Sequence, residues 1–224
     1  MKVGNCAYDS PGDLPAVIPV FPLPAALLLP RSELPLNIFE PRYVAMIDAA
    51  LAGERVIGMI QPDEDKAPSR LGPTLCRIGC AGRLTSVAET GDGRYMVTLT
   101  GIARFAVVEE LVTRTLFRQC RVSAGPFASD FATTAGGAEV DRDLVLKTFR
   151  DYLDAHNLDA DWESVGRASN ETLINTLAMM APFGTAEKQA LLEAPDLRSR
   201  AETLVALTEM SLVRQGGGAS RSLQ

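Results

Sequence analysis

Apolar residues fall in short, proline-bounded runs through the first half of the chain and recur at helical spacing through the second. Residues 17–21 lie between Pro15 and Pro22, and residues 25–29 between Pro24 and Pro30. Proline cannot donate to a ladder, so runs closed in this way read as strands buried on both faces. Leu34, Leu36 and Ile38 then alternate with Pro35 and Asn37, the period of a strand with one buried face. Pro41 has its φ preset and lacks an N–H that a first helical turn leaves unused, which predicts a helix start. Val44, Ile47 and Leu51 form its expected buried stripe, and Gly53 its expected left-handed C-cap. Phe39, between strand end and helix start, is expected in the core.

A short strand is expected at residues 55–61, then a charged, Pro-flanked loop at 62–73 and two long strands at 75–89 and 94–110. Gly91-Asp92-Gly93 joins the long strands, and such a pair of runs around Asp-Gly is a hairpin signal. Gly79, Gly82 and Gly101 interrupt these strands, where bulges or sharp curvature let a small sheet curl. A further strand is expected at 116–123. After Pro126 the period changes. Val140, Leu144, Phe149, Tyr152 and Leu153 share a face between residues 139 and 156; Ser169 caps a helix that Pro182 ends. Thr185 opens a helix through Glu193, and Asp196 caps another carrying Leu197, Ala201, Leu204, Val205, Thr208 and Leu212. The fold class expected is α+β, with a flexible leader (1–14), a curled β domain (15–124), a connecting segment (125–138), a small helical bundle (139–214) and a flexible tail (215–224).

Charge narrows the function. Residues 1–124 hold 13 Lys and Arg against 13 Asp and Glu, and residues 125–224 hold 9 against 15, so the net charge of −6 sits in the second half. Neither half has the concentrated basic surface that phosphate backbones require. No apolar stretch approaches the roughly 20 residues of a membrane span, and the first residues lack a signal-like apolar core. Four cysteines (Cys6, Cys76, Cys80, Cys120) make no disulfide framework in a chain of 224 residues. They read as small buried hydrophobes in a reducing compartment, and the localisation expected is cytoplasmic.

Three segments then carry a family resemblance. Residues 18–43, IPVFPLPAALLLPRSELPLNIFEPRY, resemble the opening of the amino-terminal substrate-recognition domain of Lon proteases. Residues 77–107, RIGCAGRLTSVAETGDGRYMVTLTGIARFAV, resemble that domain's central β-hairpin, and residues 188–207, KQALLEAPDLRSRAETLVAL, the end of its helical part. The resemblance covers most of residues 17–212. It implies a PUA-like curled β pseudo-barrel followed by a small C-terminal helical bundle, a β module also found in cereblon. It further implies a protein- or peptide-binding module without chemistry of its own, an adaptor or regulator in proteolysis. The partners expected are unfolded or apolar-rich polypeptide or a dedicated protein. The alternative is an RNA-binding PUA-like protein, against which the charge distribution counts.

Candidate chemistry is sparse. The 224 residues contain no G-x-x-x-x-G-K-[ST] loop to hold nucleotide phosphates, and no lysine among Lys2, Lys66, Lys147 and Lys188 sits in a context suggesting a Ser-Lys dyad. No catalytic residue, cofactor or metal site is therefore expected. The one histidine, His156, lies at a helix end, where it complements the negative terminus. Asp63, Glu64 and Asp65 read as a solvated loop. Arg42 and Arg104, at positions that recur in the family, read as structural partners of Glu40 or Glu33. In the connecting segment, Phe127 and Phe131 stand among small polar residues. Exposed, they offer an apolar contact to a peptide; buried, they pin the connection to the bundle.

Overall fold

Strand β7 (Tyr95–Leu111) is long enough to pair with three neighbours, and that is what closes the sheet. A computed structural model describes residues 1–132, 140–156, 159 and 161–219. Its chain divides into two units, Met1–Thr133 with Pro182–Leu192, and Thr134–Ala181 with Glu193–Gln224.

In the first unit, β1 (Lys2–Val3) pairs with β2 (Cys6–Ala7). The main sheet uses β3 (Val17–Pro22), β4 (Glu33–Ile38), β5 (Val56–Ile60), β6 (Ile78–Glu89), β7 and β8 (Arg118–Ser123) in the order β4-β7-β6-β5-β3-β8. An additional β7–β8 pairing closes the curl, while β4 sits outside it on the first half of β7. All pairs are antiparallel except β3–β5. The core is filled by Ile18, Val20, Ile60, Ile102, Phe105 and Cys120 among others. Burial raises the Cys120 thiol to about 11, so it packs as an inert small hydrophobe.

Helix α1 (Pro41–Ala52) starts at the proline, as the sequence predicts. Its buried residues are Tyr43, Met46, Ile47 and Ala50, so the stripe is rotated from the expected Val44, Ile47 and Leu51. The rotation lets Tyr43 stack on Phe21, with ring centroids 4.1 Å apart. Gly53 has φ −120° and is no left-handed cap; the reversal falls on Arg55, at φ 58°. The expected hairpin forms, with Gly91 and Gly93 at φ 79° and 82°.

Residues 25–29 form no strand, although Leu27, Leu28 and Leu29 are buried. Ala25 turns the chain at φ 57° and donates its N–H to the side chain of buried Gln61 (3.0 Å) instead of to a ladder. The segment then crosses β7 at Gly101, where a Cβ would stand 2.0 Å from the Leu29 carbonyl oxygen. Gly101 thus permits a backbone crossing as well as curvature.

The expected flexible leader is instead folded. Val3, Tyr8 and Leu14 are buried, and Arg83 donates to the Tyr8 hydroxyl (3.2 Å) and to Asn5 Oδ1 (3.0 Å). Three apolar residues at irregular spacing carry no periodic signal, which is why the pattern missed them.

The second unit contains α2 (Arg142–His156), α3 (Trp162–Arg167), α4 (Asn170–Met180) and α6 (Leu197–Ala219). Ser169 caps α4 through the Thr172 N–H (3.1 Å). In α2 the buried residues are Val145, Thr148, Tyr152 and Leu153, while Leu144 is largely exposed. Helix α6 continues through Ala219, past the residue where a tail was expected; residues 220–224 lie outside the described residues.

Helix α5 (Thr185–Glu193) lies largely within the β unit. Thr185 donates to Glu64 (3.0 Å), and Gln189 donates to the Ile78 carbonyl (3.1 Å). The helical stretch expected at 139–214 is therefore split. Of the expected connection, Gly125–Phe131 forms a 3-10 segment of the β unit, and residues 133–138 lie outside the described residues.

Candidate functional site

Register and the two-residue period decide which side chains of β4, β7 and β6 meet solvent. Leu34 pairs with Leu99, and Leu99 with Leu84; the side chains of Leu99 and Leu84 are buried, so this parity faces inward. The other parity faces outward. Pro35, Thr98 and Ser86 form one outer row, and Asn37, Met96 and Ala88 the next. Phe39 continues the outward parity one residue beyond the buried Ile38.

Phe39 is 60% exposed and Met96 59% exposed, which corrects the expectation that Phe39 fills the core. The reason is local. Ile38 takes the inward position, so its successor must point out. The signal was present in the Leu34, Leu36, Ile38 alternation itself. Met96 carried no comparable signal until the register was known.

Charges border this face without entering its two central rows. Arg94 lies 6.0 Å from the Phe39 ring centroid and pairs with Asp92 (3.2 Å), while Arg42 pairs with Glu40 (2.8 Å). Tyr95 donates its hydroxyl to Asp48 (2.8 Å). The result is a neutral strip, apolar at Phe39, Met96, Pro35 and Ala88, and polar at Asn37, Thr98 and Ser86. Such a strip offers contact area and hydrogen bonds but no acid, base or nucleophile in a reactive setting.

The other candidate residues lie elsewhere. Phe131 is 5% exposed and belongs to the β core, so it offers no surface to a ligand. Phe127 is partly buried with the Arg104 guanidinium 4.8 Å above its ring centroid. Arg104 partners neither Glu33 nor Glu40. Asp130 Oδ2 accepts from its backbone N–H and its Nε–H, both at 2.9 Å, and Oδ1 from its Nη2 (2.8 Å). Arg42 does pair with Glu40, on the surface. His156 Nδ1 donates to the Tyr152 carbonyl (2.7 Å) within its own helix. In the acidic loop, Asp63 pairs with Lys66 (2.7 Å) and Glu64 accepts from Thr185. Among the described residues no cluster of His, Cys, Asp and Glu is arranged to hold a metal, and no helix is long and apolar enough to cross a membrane.

The family profile of the ATP-dependent protease La (LON) substrate-binding domain matches residues 17–209. The chain belongs to the Lon substrate-binding domain family. A Lon protease of Syntrophus aciditrophicus is 24% identical over 94% of this chain and 27% of its own length. Lon protease 2 of Myxococcus xanthus is 25% identical over 87% of this chain and 24% of its own length. The chain thus spans about a quarter of these relatives. The crystal structure of a Lon N-terminal domain protein from Xanthomonas campestris superposes with a TM-score of 0.58 at 21% identity, covering 85% of this chain and 97% of that one. The N-terminal domain of the Mycobacterium avium complex Lon protease gives 0.61 at 20% identity, covering 86% and 98%. Both share the fold, a curled β part with a helical part. The matches fall on the substrate-binding domain rather than on peptidase or ATPase modules.

Proposed function

We propose that this chain is a non-enzymatic module of proteolysis that binds unfolded or apolar-rich polypeptide through the outer face of β4, β7 and β6. The observation that carries the reading is the presence of two large exposed apolar side chains, Phe39 and Met96, on the outward parity of one neutral sheet face. Family membership supports polypeptide as the ligand class. The contact moves from Phe127 and Phe131 to Phe39 and Met96, because Phe131 is committed to the core.

Covering the exposed parts of both side chains removes roughly 200 Å² from water, a gross gain of about 5 kcal/mol at roughly 25 cal/mol per Å². Ordering a flexible chain consumes part of that gain, so dissociation constants of about micromolar and above are expected. Weak, reversible capture suits a module that hands a chain onward.

The test is a titration of a labelled, reduced and carboxymethylated protein, at low and high salt, against wild type and a Phe39→Ser, Met96→Ser variant. Both residues are exposed, so melting should be nearly unchanged, while affinity should fall about tenfold or more. Apolar contacts predict little salt dependence. No association of the wild type at high micromolar concentration removes the reading. Equal affinity of the variant moves the site off this face, and a steep salt dependence points to RNA or a charged partner.

A further inference from the structure

The bond from the Gly101 N–H to the Ser32 carbonyl (2.8 Å) fixes which backbone groups of β4 face β7. In an antiparallel pair, bonded and non-bonded positions alternate. Gly101 turns both its N–H, to Ser32, and its C=O, which accepts from the Arg31 N–H (2.9 Å), to this side, so Leu99, Val97 and Tyr95 bond to Leu34, Leu36 and Ile38, and Glu33, Pro35 and Asn37 turn their N–H and C=O groups away. The donation from Thr85 Oγ1 to the Thr98 carbonyl agrees, since Thr98, opposite Pro35, must point towards β6. Among the described residues β4 pairs with β7 alone, so its outer edge has no strand partner, and Glu33, Pro35, Asn37 and Phe39 are exposed.

We propose that this outer edge of β4 holds an extended polypeptide by strand addition, a binding mode that rests on the polypeptide-binding reading above. The occupant is a single unfolded segment with apolar or neutral side chains at alternate positions. Its main chain bonds to Glu33 and Asn37, and every second side chain shares the outer face with Pro35, Asn37 and Phe39, with Met96 one strand further in. Main-chain bonding asks little of sequence, which suits a module that meets many unfolded chains. Pro35 sets the limit. It leaves an outward carbonyl but no N–H at the centre of the edge, so an added strand has a gap in its ladder. That gap weakens the grip and blunts continuous sheet growth, the hazard of any open edge beside exposed apolar side chains.

The experiment uses the full chain and a fluorescein-labelled short peptide alternating leucine and serine, together with two forms of it that are N-methylated at one or the other alternate set of residues. N-methylation removes backbone donors and leaves side chains intact. Fluorescence anisotropy should show one methylated form bound about tenfold or more weaker than the parent, and the other bound nearly as well. Asn37→Pro deletes an outward N–H and should weaken the parent peptide comparably; should that variant unfold, the methylated peptides on wild type decide alone. Parent and both methylated forms binding equally overturns strand addition and leaves side-chain capture standing. Failure of the parent to bind removes the polypeptide-binding reading itself. A wild-type dimer that Asn37→Pro dissociates would also overturn the proposal, by assigning the edge to a second copy.

Discussion

Replacing Asp130 by alanine should destabilise the β unit by about 3–5 kcal/mol, the usual cost of removing one partner of a buried ion pair. The side chains of Arg104 and Asp130 are 4% and 7% exposed, and the carboxylate accepts three N–H groups of Arg104 at 2.8–2.9 Å. Arg104 also donates to the Leu192 carbonyl (3.3 Å). Arg104 thus holds both the Asp130 carboxylate and the Leu192 carbonyl within the β unit. A double variant, Arg104→Met with Asp130→Leu, removes both charges but not the Arg104 backbone N–H, which loses its acceptor. It should therefore remain destabilised, by about 1–3 kcal/mol, the cost of taking the Asp130 carboxylate from that buried donor and the Arg104 donation from the Leu192 carbonyl. Denaturant unfolding followed by a probe in the β unit measures both. A loss below about 1 kcal/mol for Asp130→Ala would refute the reasoning, because a pair so placed cannot be both buried and dispensable. A double variant worse than the single one would refute the charge argument specifically.

Two further outcomes follow from packing and from charge. Gly101→Ala should cost about 3 kcal/mol or more in denaturant unfolding, because the new Cβ meets backbone of Leu29, which cannot rotate away as a side chain would; a near-neutral substitution would mean the crossing is looser than described. Lys188 is 2% exposed, and burial pushes its ammonium from 10.5 down to about 8. The unfolded chain therefore holds more protons than the folded one between those values, so stability should rise with pH there, by about 1 kcal/mol by pH ~9. Below about pH 8 both states are protonated and the cost of burying the charge is fully present. Cys120 acts with the opposite sign above its ordinary 9.0, so the scan stops there. The rise should vanish in Lys188→Met, and an equal rise in that variant would assign it to other groups.

What the pattern revealed and what it hid follow from the range of the interactions concerned. The hairpin at Gly91–Gly93, the start of α1 at Pro41 and the Ser169 cap each depend on a few consecutive residues, so local chemistry sufficed. The folded amino terminus depends on Arg83, which reaches Asn5 and Tyr8 from about eighty positions away. Residues 25–29 have the composition of a strand, but the Ala25 N–H is taken by Gln61 and the chain crosses β7 instead. The Arg104–Asp130 pair joins a strand to a 3-10 segment, and no spacing rule links the two. Helix α5 was found at its correct bounds, yet its place in the β unit rests on Gln189 and Thr185 meeting Ile78 and Glu64. Local signals placed the elements; long-range polar contacts assigned them to units.

At the candidate site two sequence rules conflict. Phenylalanine is usually buried, and on that ground Phe39 belongs in the core. Strand parity says the reverse, because Ile38 is inward and the next side chain must point out. The structure follows parity, and the conflict is informative. Leaving a large aromatic ring exposed gains nothing for folding and adds a risk of self-association, so its surroundings matter. Around Phe39 the risk is contained. Arg94 lies near the ring, the bordering charges are paired, and Pro35 interrupts the adjacent edge. A face made apolar and then guarded in this way fits transient contact with another chain better than it fits a neglected surface. Substituting Pro35 by valine would restore the missing donor. If the guarding argument holds, the variant should self-associate in sedimentation velocity at concentrations where the wild type does not, and unchanged sedimentation would show that Pro35 is incidental to the site.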